Sequence, residues 1–239
     1  MFRYFFITLG TSHKLDIEMI LLIGAEKGGV GKSSIAVNIA TIAAINGVEV
    51  LILDTDSTGS ATTWCRIRGE ENVAPAVPLL TLTTNPIATL PDLARKYELI
   101  IVDVGARSYS TLLQVAILSD LVIVPTTPGQ YEAESTSNLF ESLRSLDAKH
   151  RKGKVPAFAL LNKLPTNAQS REEGELRSYL TSFNIPIMKT CLRDRKAWRD
   201  SSKSGRAVCE LKGADSSPKG TAELNAVYKE AESLASQVG

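Results

Sequence analysis

The sequence predicts an α/β fold, a mostly parallel twisted sheet with helices on both faces, and three observations lead there. From Met19 onward, short runs rich in Ile, Val and Leu alternate with longer segments of helical period, the pattern of strands covered on both sides. The first apolar run opens into the glycine loop Lys27-Gly28-Gly29-Val30-Gly31-Lys32-Ser33-Ser34, which leads into a helical pattern. Two later runs end in aspartate, Leu51-Ile52-Leu53-Asp54 and Leu99-Ile100-Ile101-Val102-Asp103. With 239 residues, 44% of them hydrophobic, the chain has the size of one domain with a substantial core. The expected layout is an N-terminal extension over 1–18 and one domain over 19–239.

The elements follow in order. Phe2-Arg3-Tyr4-Phe5-Phe6-Ile7 is apolar, yet far shorter than the roughly 20 residues that cross a bilayer. Polar Thr11-Ser12-His13-Lys14 follows it without a clear small-residue cleavage site, so the segment reads as an extension. Met19 stands directly before the first strand, which makes it a candidate start of the functional fold. Strands are expected at Met19–Ile23, Glu49–Leu53, Leu79–Leu82, Leu99–Asp103, Leu121–Val124 and Ala157–Leu161, with a short seventh around Ile187. Helices fill the intervals, with Gly47, Pro86, Pro91, Pro125 and Pro128 at element boundaries. A last helix from about Thr221 to the end places Leu224, Val227, Tyr228, Ala231, Leu234, Ala235 and Val238 on one face. Its polar face carries Glu223, Glu230 and Glu232 against Lys229, which argues against a membrane surface as partner.

Lys plus Arg total 27 against 26 Asp plus Glu, so the chain as a whole is not drawn to nucleic acid or membrane. Cys65, Cys191 and Cys209 are odd in number and far apart, which fits neither a disulfide framework nor paired zinc ligands. Reduced thiols in a cytoplasm are the expectation.

The glycine loop has the parts of a phosphate cradle. Gly28, Gly29 and Gly31 permit close backbone approach, so that successive N–H groups, Val30 included, can face phosphate oxygens. Lys32 supplies a point charge for the β and γ phosphates, Ser33 a hydroxyl for Mg²⁺, and the helix through Ser34 the positive end of its dipole. Asp54 and Asp56 follow the second strand at its carboxyl end, where ligands bind in open parallel sheets. Asp103 has the apolar-run-then-aspartate form that holds Mg²⁺ through water.

The loop departs from the general pattern at Glu26, where a glycine is usual, and at Lys27 directly before the glycine pair. It resembles the deviant Walker A loop of the family that includes the ParA and MinD ATPases and the nitrogenase iron protein. The resemblance covers nearly everything from Met19 to the C-terminus and is nearest to the small ParA-type partition ATPases. It implies ATP and Mg²⁺ as ligands and ATP hydrolysis as the activity. Lys27 would cross a dimer interface to the partner's nucleotide. Asp56 would position or activate the attacking water, Asp54 would stand near the metal's water shell, and Asn162 in Leu160-Leu161-Asn162-Lys163 would contact the base. The chain lacks the family's Pro-Gln after Asp56, and it carries Val104-Gly105-Ala106-Arg107 where many relatives have a proline pair.

Partition ATPases of this kind dimerise with ATP, bind DNA without sequence preference and answer to a ParB-like or other centromere-binding partner. The resemblance therefore also implies a cytoplasmic, nucleoid-associated protein. Between Lys189 and Lys212 eight basic residues stand against three acidic ones, and Arg193, Arg195, Lys196, Arg199, Lys203 and Arg206 are the candidate DNA contacts. A second basic stretch, Arg144 to Lys154, contains Lys149, Arg151 and Lys152. Three other readings stay open. One is a MinD-like or other cargo-positioning ATPase without DNA binding. Another is an electron-transferring relative of the iron protein, opposed by the lack of cysteine between Cys65 and Cys191. The last is a small-molecule kinase, opposed by the lack of a recognisable lid or second-substrate segment.

Overall fold

The computed structural model describes residues 19–56, 59–147, 150, 153–167 and 169–238. The expected extension over 1–18 lies outside them, as do Lys149, Arg151 and Lys152 of the second basic stretch. Six parallel strands form one sheet: β1 (Met19–Ile23), β2 (Val50–Asp54), β3 (Leu79–Thr81), β4 (Leu99–Asp103), β5 (Leu121–Thr126) and β6 (Ala157–Leu161). The spatial order is β3-β2-β4-β1-β5-β6. Strand order reverses beside β1, so the crevice outside its carboxyl end is the position that such sheets offer to a ligand.

Alternation along the buried strands divides the core. Leu21, Ile23, Ile101 and Ile123 face α1 (Lys32–Ile45) and α8 (Pro218–Val238), while Leu22, Ile100, Val102 and Val122 face the opposite layer. Leu224, Val227, Tyr228 and Ala231, four residues of the expected stripe on the last helix, are buried in the first cluster. The second layer holds α4 (Tyr109–Ala116) and α5 (Gln130–Ser145). Among the described residues no helix is long and apolar enough to cross a membrane.

The expected strand around Ile187 reduces to one parallel bridge to Ala159, because neighbouring residues turn away toward α8. β5 runs two residues farther than expected and includes Pro125. β1 pairs with β5 only as far as Ile23 against Ile123, so the missing proline N–H faces no ladder partner there.

Register brings the chemistry to one edge. Asp103 pairs with Ile23 on one side and with Asp54 on the other, so the two aspartates end adjoining strands level with the start of the glycine loop. The Thr55 N–H donates to the Asp103 carbonyl at 3.0 Å and holds the two strand ends together.

Candidate phosphate-binding site

Gly31 caps α1 with φ +96°, a left-handed conformation open to glycine at little cost. A Cβ there would also stand 2.4 Å from the Asn162 amide nitrogen. Asn162 donates through Nδ2 to the Val30 carbonyl at 2.7 Å, and Lys163 donates through Nζ to the Gly29 carbonyl at 2.6 Å. The end of β6 thus clamps the loop from outside. Lys32 clamps it from within, its Nζ donating to the Lys27 carbonyl at 2.9 Å. Loop carbonyls engaged this way face protein groups, which leaves the opposite side of the backbone for an anion. Lys32 is buried, and burial pulls its ammonium below the ordinary lysine range while Asp103 and Asp56 hold it up.

The carboxylates have three different surroundings. Asp103 is buried, its Oδ2 is without a hydrogen-bond partner among the described residues, and burial pushes it up to about 7. The Asp54 charge adds to that shift, whereas the Ser33 hydroxyl and the Lys32 ammonium oppose it. An orphaned buried carboxylate oxygen next to a serine hydroxyl fits a hydrated divalent cation. Asp54 is different. Its Oδ1 accepts from the Asp56 N–H at 2.9 Å, and its Oδ2 accepts from the Thr62 N–H at 3.2 Å and the Thr62 hydroxyl at 2.9 Å. Asp54, beside Asp103 in register, caps α2 (Ser60–Glu70) and orients the backbone that carries Asp56. Asp56 lines the cavity, with its carboxyl against Gly105.

These parts wall a cavity of about 820 Å³. Gly28, Gly29, Gly31, Lys32, Ser33 and Ser34 form one side, Asp56 another, and Gly105 to Ser108 a third. Asn162, expected against the base, is not in this wall, since its amide faces Val30. Lys27 is exposed on the loop beside Gly28, a placement that a dimer-crossing cation requires. Trp64 also lines the cavity, and so does Ser202 of α7 (Lys196–Lys203), two contacts that the sequence pattern does not signal. Behind Trp64 the Arg68 guanidinium lies 5.1 Å from its ring and donates to both Glu210 oxygens and to the carbonyls of Pro75 and Gly205.

The candidate DNA contacts are mostly engaged within the chain. Arg193 pairs with Glu173, Arg195 with Glu223, Lys196 with Asp200 and Asp215, and Arg199 with Asp194. Arg206 donates to the Ser204 carbonyl, and Lys203 is exposed. Glu173, Glu223 and Asp215 lie outside the window that carries the basic surplus, so folding brings in the charges that offset it. All three cysteines are free, and burial raises each thiol. No cluster of three metal-ligating side chains occurs among the described residues.

A parallel sheet with a glycine loop between its first strand and the following helix defines a nucleotide-binding protein of the P-loop class. Residues 21–208 match the family CbiA, the CobQ/CobB/MinD/ParA nucleotide binding domain, and the chain belongs to that family of ATPases. Its relatives include the chromosome-partitioning ATPase Soj of Thermus thermophilus, 27% identical over 192 residues that cover 66% of this chain and 76% of the relative. The maintenance of carboxysome distribution protein A of Gloeobacter kilaueensis is 28% identical over 193 residues, covering 78% and 82%. In structure the chain is similar to the septum site-determining protein MinD of Pyrococcus horikoshii complexed with Mg-ADP, with a TM-score of 0.66, 16% identity and coverage of 92% and 98%.

Proposed function

We propose that the chain is an ATP-hydrolysing, ParA-like partition protein whose ATP-loaded form is a homodimer holding DNA without sequence preference, in plasmid or chromosome segregation. The convergence of the glycine loop, Asp56 and the orphaned Asp103 on one cavity carries the nucleotide half of this reading. Similarity to Soj supports the cargo half. Residues 19–239 act as one ATPase domain, in a cytoplasmic protein associated with the nucleoid.

The backbone N–H groups from Gly28 to Ser34 bind the phosphates, and Lys32 contributes its charge to the β and γ positions. Ser33 and Asp103 would hold Mg²⁺, which would supply positive charge against the terminal phosphates. Asp56 orients the attacking water from the opposite wall of the cavity, with Asp54 fixing its backbone. Lys27 reaches across the dimer to the partner's nucleotide. Asn162 serves by holding the loop in shape. A ParB-like or other centromere-binding protein stimulates hydrolysis.

Asp56→Ala is expected to lower the ATP hydrolysis rate at saturating ATP by about 100-fold while leaving ADP affinity unchanged. Gel filtration should then show the variant retained as an ATP-bound dimer. Hydrolysis at the wild-type rate would remove Asp56 from the mechanism. The cargo assignment is tested by titrating non-specific duplex DNA with ATP, with ADP and without nucleotide, at two salt concentrations. Binding that needs ATP and weakens steeply with salt is the expected outcome.

The internal pairing of Arg193, Arg195, Lys196 and Arg199 favours a second reading, a cargo-positioning ATPase that does not use DNA. Absence of DNA binding in every nucleotide state would select it and leave the ATPase assignment in place.

A further inference from the structure

The segment that follows β4 is wedged into the cavity. A Cβ on Gly28 would lie 3.9 Å from the Ala106 Cβ, and one on Gly105 only 2.8 Å from the Asp56 carboxyl carbon. Residues 105 and 106 therefore fill the slot between the glycine loop and Asp56. A turn closed by the Ser108 N–H on the Gly105 carbonyl, at 3.0 Å, holds the next residue in place at the head of α4. That residue is Arg107, which lines the cavity together with Lys32 and Ser33.

Its surroundings set it apart from the arginines that carboxylates hold. Arg68, Arg177, Arg193, Arg195 and Arg199 are held by carboxylates. Arg107 is exposed, and among the described residues it has neither an ion pair nor a side-chain hydrogen bond. Three aspartates, Asp54, Asp56 and Asp103, already place negative charge at this sheet edge, and a third phosphate adds more than a diphosphate does. Lys32 faces that charge from the loop side alone. A guanidinium on a different wall offers a planar fork that matches two phosphate oxygens at once.

We propose that Arg107 is a catalytic residue, a phosphate-binding cation supplied by the chain's own segment after β4, which contacts the third phosphate and distinguishes a triphosphate from a diphosphate. The assignment rests on the nucleotide-site reading above. It gives the altered segment Val104-Gly105-Ala106-Arg107 a chemical role, in which the small residues let the turn approach the loop and the arginine that follows supplies charge.

The test titrates the full chain with AMPPNP and with ADP, each with Mg²⁺, by calorimetry, at a chain concentration where light scattering reports a monomer. Wild type, Arg107→Ala and Arg107→Lys are compared. Arg107→Ala is expected to weaken AMPPNP at least tenfold while changing ADP by less than twofold, and Arg107→Lys to recover part of the loss. An exposed, unpaired side chain is dispensable for folding, so circular dichroism and the thermal midpoint should match wild type. Equal effects on the two nucleotides, or none on either, would overturn the assignment. Loss of duplex DNA binding with AMPPNP affinity unchanged would move Arg107 to a nucleic-acid surface and overturn it as well. If wild type binds neither nucleotide, the nucleotide-site reading falls and takes this assignment with it. If wild type binds both and Arg107→Ala matches it, only the role of Arg107 is lost.

Discussion

Lys32→Ala abolishes nucleotide binding in the expected result, with affinity for ADP and ATP falling by at least about 100-fold. Two contributions add. In the proposed site the buried ammonium is the loop's own cation for the phosphates, and a charge-assisted hydrogen bond of this kind contributes about 1.5–3 kcal/mol. The same Nζ bonds the Lys27 carbonyl at 2.9 Å, so truncation also releases the loop from its inner clamp and costs preorganisation. Titration of a fluorescent ADP analogue measures the loss, and the far-ultraviolet circular dichroism of the variant should match wild type. Affinity unchanged in a folded variant would remove the phosphate-loop assignment.

The second large effect concerns stability. Arg68→Ala is expected to cost about 3–5 kcal/mol, the range for removing one partner of a buried ion pair. The side chains of Arg68 and Glu210 are 3% and 12% exposed, and the guanidinium makes two bonds of 2.8 Å to the carboxylate. It also satisfies the carbonyls of Pro75 and Gly205, which truncation would leave without this donor. Arg68→Lys is not expected to rescue, because an ammonium cannot replace the fork across partners on different sides. Gly205→Ala strikes the same junction: φ is +61°, and a Cβ would stand 2.4 Å from the Arg68 backbone nitrogen. Urea unfolding followed by tryptophan fluorescence reads both variants. A loss below about 1 kcal/mol for Arg68→Ala would show that the junction is not cooperative with the core.

The parts of the site legible in the sequence are those whose spacing is local. The glycine loop is read from eight consecutive residues because backbone approach, lysine charge and hydroxyl are all set within one turn. Asp103 is read from the apolar run before it, since a buried strand leaves its carboxyl end as the first place for a polar side chain. The sheet itself follows from five-residue buried runs, whose alternation supplies both faces of the core.

Other contacts are not legible because the deciding partner is distant in sequence or lies outside the local pattern. Asp54 and Asp56 look equivalent two residues apart, yet the N-terminal turn of α2 places Thr62 where it engages Asp54 and leaves Asp56 in the cavity wall. Asn162 holds the loop through the Val30 carbonyl, 132 positions away. Ile187 reads as strand by composition and forms one bridge, since pairing depends on what lies alongside.

By itself, then, the sequence determined the α/β class, the strand-loop-helix phosphate cradle and the aspartates at the strand ends, because hydrophobic period and backbone chemistry act over a few residues. Tertiary structure alone decided which carboxylate faces the cavity, that Glu173 and Glu223 engage Arg193 and Arg195, and that Arg107 stands on the cavity wall without an ion pair among the described residues. Each of those outcomes depends on distance through space, and electrostatic and hydrogen-bond energies fall with that distance, whatever the separation along the chain.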